Sequence, residues 1–230
     1  MKSLSNENKA IENMFSQISP NYDKLNHLLS LGIDHLWRKR LIDKIPGDAG
    51  RILDLATGTA DVALEISKSF NSLIVGADIS LSMLKMAKRK DKDDNIQFIN
   101  AQAEYLPFAD NVFDAVTISF GLRNIPERKK ALREMKRVLK NDGVLLILEF
   151  SHIKNILWRS IFEFYFLKIL PYIGNKISKH HFAYYYLPQT VMKFPAPEGL
   201  SDILRDVGFS NVCYDRILGG VAAIHSARSY

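Results

Sequence analysis

Cysteine is nearly absent. Cys213 is the one cysteine in 230 residues, so an internal disulfide is excluded and a reducing, cytoplasmic setting is expected. Long apolar runs are absent as well. The most apolar region, residues 156–173, is broken by Arg159, Glu163 and Lys168, whereas a membrane span needs about 20 largely apolar residues. Residues 1–18 are polar and lack the apolar centre of a secretory signal. Clustered metal ligands are missing too. The adjacent pair His180-His181 would face apart on a helix or a strand, and no metal is expected. Charge of one sign is only mildly in excess, 31 basic against 25 acidic residues for a net charge of +6.

The clearest basic cluster, residues 127–140, sets Arg128, Lys129, Lys130, Arg133, Lys136, Arg137 and Lys140 around Ala131, Leu132, Met135, Val138 and Leu139. That spacing is a helix with one apolar face on a sheet and one solvated basic face. No aromatics interleave with the basic residues, so a stacking platform is not indicated and no nucleic-acid partner is expected. The length suits a single domain with an ample core.

What is present begins with Leu53-Asp54-Leu55-Ala56-Thr57-Gly58-Thr59-Ala60-Asp61, followed one helix length later by Ile74-Val75-Gly76-Ala77-Asp78. An apolar strand enters a small-residue turn and an amphipathic stretch, and a second strand ends on an acid 24 residues after Asp54. That is the layout of a nucleotide-type site at the carboxyl edge of a doubly wound sheet. The turn has one glycine where a dinucleotide site needs three, and no Lys-Ser/Thr pair for a triphosphate. Asp54 and Asp61 would repel phosphates. An adenosyl ligand that lacks phosphates and carries a cation fits better, and S-adenosylmethionine is the expected cofactor.

Strand-type runs fall at 51–55, 72–77, 96–100, 113–119 and 143–149, with helical patterns at 61–70, 80–90 and 127–140. Two helical segments open the chain, one before Pro20 and one over 33–45. After Glu149 the alternation breaks into an aromatic, apolar stretch, and a helix over 198–207 precedes strands at 212–217 and 221–227 joined through Gly219-Gly220. The pattern predicts a Rossmann-like α/β sheet of six or seven strands, parallel except for an antiparallel C-terminal hairpin strand, with helices on both faces.

Four strand ends then converge on one crevice. The residues expected to hold the cofactor are Asp54, Gly58, Thr59, Asp78, Ile79, Gln102, Ala103 and Ser119. Asp78 accepts from a ribose diol, Ile79 covers the base, and the Gln102 amide can both donate to and accept from an adenine edge. Two of these have a plainer reading: Asp78 as the acid that opens the helix after Ser80, and Gln102 as part of a polar loop. Ser119-Phe120-Gly121-Leu122-Arg123-Asn124 places Arg123 and Asn124 beside the reacting group.

At this point the chain resembles the ubiquinone/menaquinone biosynthesis C-methyltransferases. The resemblance rests on Tyr22-Asp23-Lys24-Leu25-Asn26-His27-Leu28-Leu29-Ser30 with its continuation to Lys39, on Thr117 to Asn124, on Arg137 to Gly143 with Leu148-Glu149-Phe150-Ser151, and on the run through Tyr184 to Phe209. Leu25 stands where the family usually has Met, Ala60 where Gly is frequent, and Gln102 where Asn or Asp is usual. Asn141-Asp142-Gly143 replaces Pro-Gly-Gly, and Tyr185 replaces a polar residue.

The resemblance implies a seven-stranded class I methyltransferase domain over residues 1–230, with a helical lid at 1–46 and an apolar substrate-side insertion at 152–197. It implies methyl transfer to a polyprenylated hydroquinone, demethylmenaquinol first and the ubiquinone precursor as the alternative. A catalytically silent S-adenosylmethionine-binding scaffold is the alternative of a different kind. Arg123 and Asn124 would serve the developing oxyanion and the ring hydroxyl, with His181, Tyr184, Asp23 or water as the base. The segment 156–173 reads either as core or as a tail channel that docks at the inner face of the membrane, and a homodimer is compatible with the family.

Overall fold

The computed structural model describes residues 6–18, 32–164 and 189–230. The chain opens with helices α1 (Asn6–Ile18) and α2 (Asp34–Ile42). It then alternates: β1 (Arg51–Leu55), α3 (Asp61–Ser69), β2 (Leu73–Asp78), α4 (Leu81–Lys90), β3 (Ile96–Asn100), β4 (Phe113–Ser119), α5 (Arg128–Val138) and β5 (Leu139–Phe150). Helices α6 (Ile156–Phe164) and α7 (Pro197–Val207) precede β6 (Ser210–Ile217) and β7 (Ala222–Arg228).

The seven strands form one sheet in the order β3-β2-β1-β4-β5-β7-β6. All neighbours are parallel up to β5, and β7 runs antiparallel to both β5 and β6. The expected hairpin is therefore present, but β7 inserts beside β5 and leaves β6 at the edge. Burial follows position. The last four residues of β1 are buried without alternation because both faces are covered, whereas β6 alternates as an edge strand does.

Two cores lie on the two faces. Ile52, Ile74, Leu146 and Ile224 pack with Trp37 and Leu41 of α2 and Ile66 of α3. Leu53, Val75, Val116 and Leu145 pack with Leu132 and Met135 of α5 and Leu204 of α7. In α5 the buried set is Ala131, Leu132, Met135 and Val138, the stripe that the spacing predicts. Local chemistry fixes the ends: Ser80 caps α4 with its hydroxyl on the Met83 amide, and Gly208 closes α7 at φ +97°. β5 begins at Leu139, four residues before the expected 143, because Leu139 pairs with Phe113 across an irregularity in the β4 ladder.

The β6–β7 turn spans Leu218–Gly220, with left-handed φ at Leu218 (48°), Gly219 and Gly220. Leu218 is a branched residue in a region that costs L-amino acids about 1–2 kcal/mol, and its side chain is 45% exposed. Leu218→Asn is expected to raise stability by about 1 kcal/mol, a gain of about 2–4 °C in Tm for a chain of this size. A thermal melt that does not move would remove the strain argument.

Candidate cofactor and active site

The strand order reverses direction at β1 and β4, and the crevice at such a switch point lies at the strands' carboxyl ends. A cleft enclosing about 670 Å³, open solvent included, occupies that place. The β1 end and its turn contribute Leu55, Ala56 and Gly58; the β2 end contributes Asp78 and Ile79, and α4 contributes Met83. Ala101, Ala103 and Glu104 follow β3, and Ser119, Phe120, Gly121 and Asn124 follow β4. Asn8, Ile11 and Phe15 of α1 form the remaining wall.

The turn is built from left-handed residues: Ala56 (φ 54°), Gly58 (56°) and Ala60 (68°). The Thr57 amide donates to the Ala77 carbonyl at 3.1 Å and ties the turn to β2. On the facing loop, Phe120 is also left-handed, and a Cβ on Gly121 would lie 2.6 Å from the Ala56 Cβ. Only glycine permits that approach.

Asp78 accepts the Gly58 amide at 2.9 Å and the Ser80 amide at 2.8 Å. A carboxylate has about four acceptor sites, so these amide bonds leave acceptor capacity for a ligand. Burial pushes its pKa up, against those amide bonds. The plainer reading of Asp78 holds in part: Ser80 caps α4, and Asp78 accepts the amide of that cap residue. Asn100 donates to the carbonyls of Asp78 and Ile79 at 3.0 and 2.8 Å and holds the strand end in place. Two cleft atoms are orphaned among the described residues: Ser119 Oγ and Asn124 Oδ1 are buried without a hydrogen-bond partner. Buried polar atoms of this kind call for an explanation, and a bound polar ligand supplies one.

Of the residues expected to hold the cofactor, Gly58, Asp78, Ile79, Ala103 and Ser119 line the cleft; Asp54, Thr59 and Gln102 do not. Asp54 sits under the turn, accepting from the Thr57 and Thr117 hydroxyls at 2.6 and 2.7 Å. Burial pushes its pKa up to about 6, with the hydroxyl bonds opposing the shift. Thr59 is 1% exposed and its hydroxyl accepts from Lys90 at 2.9 Å. Asp61, expected to favour a cationic ligand, is already held by Arg38 and Lys90, each at 2.8 Å, and Arg38 also pairs with Asp34.

Among the expected catalytic residues, Asn124 lines the cleft. Arg123 is turned into the protein: its guanidinium donates to Glu149 Oε2 at 2.9 Å and to the Phe120 carbonyl, over the Phe150 ring. Glu149 also accepts the Arg123 amide at 3.0 Å. His181, Tyr184 and the 22–30 block lie outside the described residues. The wall residues of α1 were missed by sequence reasoning, although the spacing of positions 8, 11 and 15 is that of one helix face.

The sheet order and the switch-point cleft are those of the seven-stranded methyltransferase fold class. Solved structures share the architecture at low identity: a SAM-dependent methyltransferase from Aquifex aeolicus (TM-score 0.62, 17% identity, 84% of this chain and 89% of that one), and the cyclase SpnF (0.71, 18%, 95% and 94%). At that identity they speak for fold alone. The family model described as the ubiE/COQ5 methyltransferase family matches residues 2–229, and the chain belongs to that family. It is 45% identical to a ubiquinone/menaquinone biosynthesis C-methyltransferase of Citrifermentans bemidjiense, over 98% of both chains. A relative of the same name from Rickettsia prowazekii is 41% identical over 94% of this chain and 91% of its own.

Asp54 gives a pH signature. Its folded pKa lies above the unfolded value of 3.8, so the charged carboxylate is disfavoured in the fold and stability falls as pH rises from 4 through about 6. Relative to the parent, Asp54→Asn is expected to gain up to about 3 kcal/mol between pH 4 and pH 7 in urea melts; parallel pH curves would contradict this. The Arg123–Glu149 pair gives a second test. Arg123→Met takes the guanidinium from a buried carboxylate that keeps only backbone amide donors, and is expected to cost about 3 kcal/mol, part of which returns when Glu149→Leu is added. A single variant as stable as the parent would show that the pair does not hold the loop.

Proposed function

We propose that this chain transfers the methyl group of S-adenosylmethionine to a ring carbon of a polyprenylated hydroquinone, with demethylmenaquinol as the acceptor and the ubiquinone precursor as the alternative. The observation that carries the reading is the pair of orphaned cleft atoms, Ser119 Oγ and Asn124 Oδ1, at the carboxyl end of β4 in a chain of this family. The relatives' shared name spans both quinone pathways, which is why the benzoquinol stays as the second acceptor.

Each residue has a task in this reading. Gly58 lets the backbone come close to the methionyl part, the free lone pairs of Asp78 accept from the ribose diol, and Ile79 covers the base. Ser119 and Asn124 stand at the junction of donor and acceptor, where Asn124 orients the ring hydroxyl. The cofactor supplies an electrophilic methyl on a sulfonium that leaves as a thioether. The acceptor must supply a carbon nucleophile, and a phenol with a pKa near 10 becomes one mainly as its phenolate. Arg123 serves that oxyanion by fixing the 120–124 loop, because Glu149 offsets much of its charge. The ring proton passes to a base, for which His181, Tyr184, Asp23 and water are the candidates.

The prenyl tail needs an apolar route. Ile156, Leu157 and Phe164 of α6 are 71%, 71% and 62% exposed, and Lys154 and Arg159 flank them. We read α6 as the part that meets a lipid surface; among the described residues no helix is long and apolar enough to cross a membrane.

The test is methyl transfer from labelled S-adenosylmethionine to short-tail demethylmenaquinol and, separately, to the demethylated benzoquinol, both kept reduced, with and without anionic vesicles. Product from the naphthoquinol is expected, with a higher rate and co-flotation when vesicles are present. Product from the benzoquinol alone would reverse the order of acceptors, and a rate indifferent to vesicles with no co-flotation would remove the role of α6.

A further inference from the structure

Exposed apolar side chains gather at one edge of the sheet. Eleven large hydrophobic residues are exposed among the described residues, and six of them are Ile156, Leu157, Trp158, Phe164, Met192 and Leu218. All six lie on α6, on the β6–β7 turn or just ahead of Phe194. The ladders show where these segments meet. Ala222 pairs with Phe150 at the end of β5 and with Ile217 at the end of β6. The β6–β7 turn therefore stands at the carboxyl end of β5, on the edge of the sheet that carries the cleft. His152 ties the third segment to the same place: its Nε2 lies 2.8 Å from the Phe194 carbonyl oxygen, and its own carbonyl accepts from Arg216 at 3.0 Å.

Trp158 joins α6 to the turn. Its indole N–H donates to the Leu218 carbonyl at 3.1 Å, and a Cβ on Gly219 would come within 3.2 Å of its ring. Phe162, one helical turn further on, packs on the core. With its one polar atom satisfied, the indole is still 39% exposed, an apolar body with no donor to spare.

Leu218 meets neither of its own preferences. It holds φ 48°, where a branched side chain is strained, and it is 45% exposed. Strained residues persist where function requires them. A lipid surface would satisfy the second preference at the expense of the first. Charge agrees with such a partner. Residues 152–198 carry six Lys and Arg against two acids, Glu163 and Glu198, and Glu198 is held by Lys154 and Arg216 at 2.8 and 3.0 Å. Arg159 and Lys193 are exposed beside the apolar residues.

We propose that the β6–β7 turn and α6 form one lipid-facing edge, with Leu218 as an inserted tip and an anionic bilayer as the partner. The inference rests on the reading of α6 as lipid-facing and adds the turn and an orientation to it. The carboxyl edge of the sheet, which carries the cleft, is thereby set toward the bilayer. Basic side chains near that surface add to the apolar attraction.

The experiment is partitioning of the full chain into vesicles of phosphatidylglycerol and phosphatidylcholine, read by co-flotation and by tryptophan emission. Trp37 is 3% exposed, so a shift in emission reports Trp158. The parent is expected to partition with a blue shift. Leu218→Asn is expected to weaken partitioning about five- to tenfold while raising the melting temperature, so loss of fold cannot mimic the result. Leu157→Ser is expected to weaken it by a similar factor. A Leu218→Asn chain that partitions like the parent overturns the inference; release by Leu157→Ser in the same assay would then leave the α6 reading standing without the turn. Equal partitioning into phosphatidylcholine alone also overturns it, because the stated partner is anionic. If the parent does not partition at all, the α6 reading falls and the turn falls with it. A parent that sediments as a dimer, and returns to monomer with Leu218→Asn, overturns the lipid partner in favour of a second copy.

Discussion

The approach of the β4 loop to the β1 turn is the contact on which the site depends. A Cβ at Gly121 would stand 2.6 Å from the Ala56 Cβ, a separation that real Cβ atoms do not tolerate. Because that atom is missing, the two loops meet and the cleft has a floor. Around the contact the chain accepts left-handed backbone at Ala56, Ala60 and Phe120, none of them glycine. Such residues each cost of order 1–3 kcal/mol and persist where their surroundings over-determine them. Here the surroundings are the Thr57 amide on the Ala77 carbonyl and the Ala60 amide on the Thr57 carbonyl.

Charge is used in two ways around this floor. Asp61, Arg38, Asp34 and Lys90 form a chain of ion pairs that ties α2, α3 and the end of α4 together, with Lys90 reaching Thr59 in the turn. These charges offset one another and hold geometry. Asp54 and Asp78 are buried with no ion pair among the described residues, and both carboxyls are pushed up by desolvation. Asp54 spends its acceptors on two threonine hydroxyls and supports the turn from below. Asp78 keeps acceptors for a ligand. The same residue type thus does two jobs, distinguished by what each oxygen already touches.

The loop after β4 shows the same division between holding and contacting. Arg123 and Asn124 are adjacent, yet Arg123 points inward to Glu149 and Asn124 faces the cleft with Oδ1 unpaired. In a short helical turn such as Leu122–Asn124, neighbouring side chains leave in different directions. A one-residue step therefore decides which group meets the acceptor. In the proposed reaction the arginine acts through the backbone it anchors.

The order of strands and helices, the buried stripe of α5, the edge hairpin and the Asp78 strand end were legible in the sequence. Each follows from local periodicity or from a turn signal within a few residues. The family was legible as well, in blocks that span most of the chain. What the tertiary structure decided is which polar side chains are already engaged. Asp54, Thr59, Asp61 and Arg123 all read as ligand contacts from their positions, and each is taken up by a partner from another element. The wall built by α1 was not legible either, since Asn8 meets Glu104 across 96 residues of chain. A sequence states which groups are near a strand end. It does not state which of them have a partner, because hydrogen bonds and ion pairs between distant segments exist only once the chain has folded.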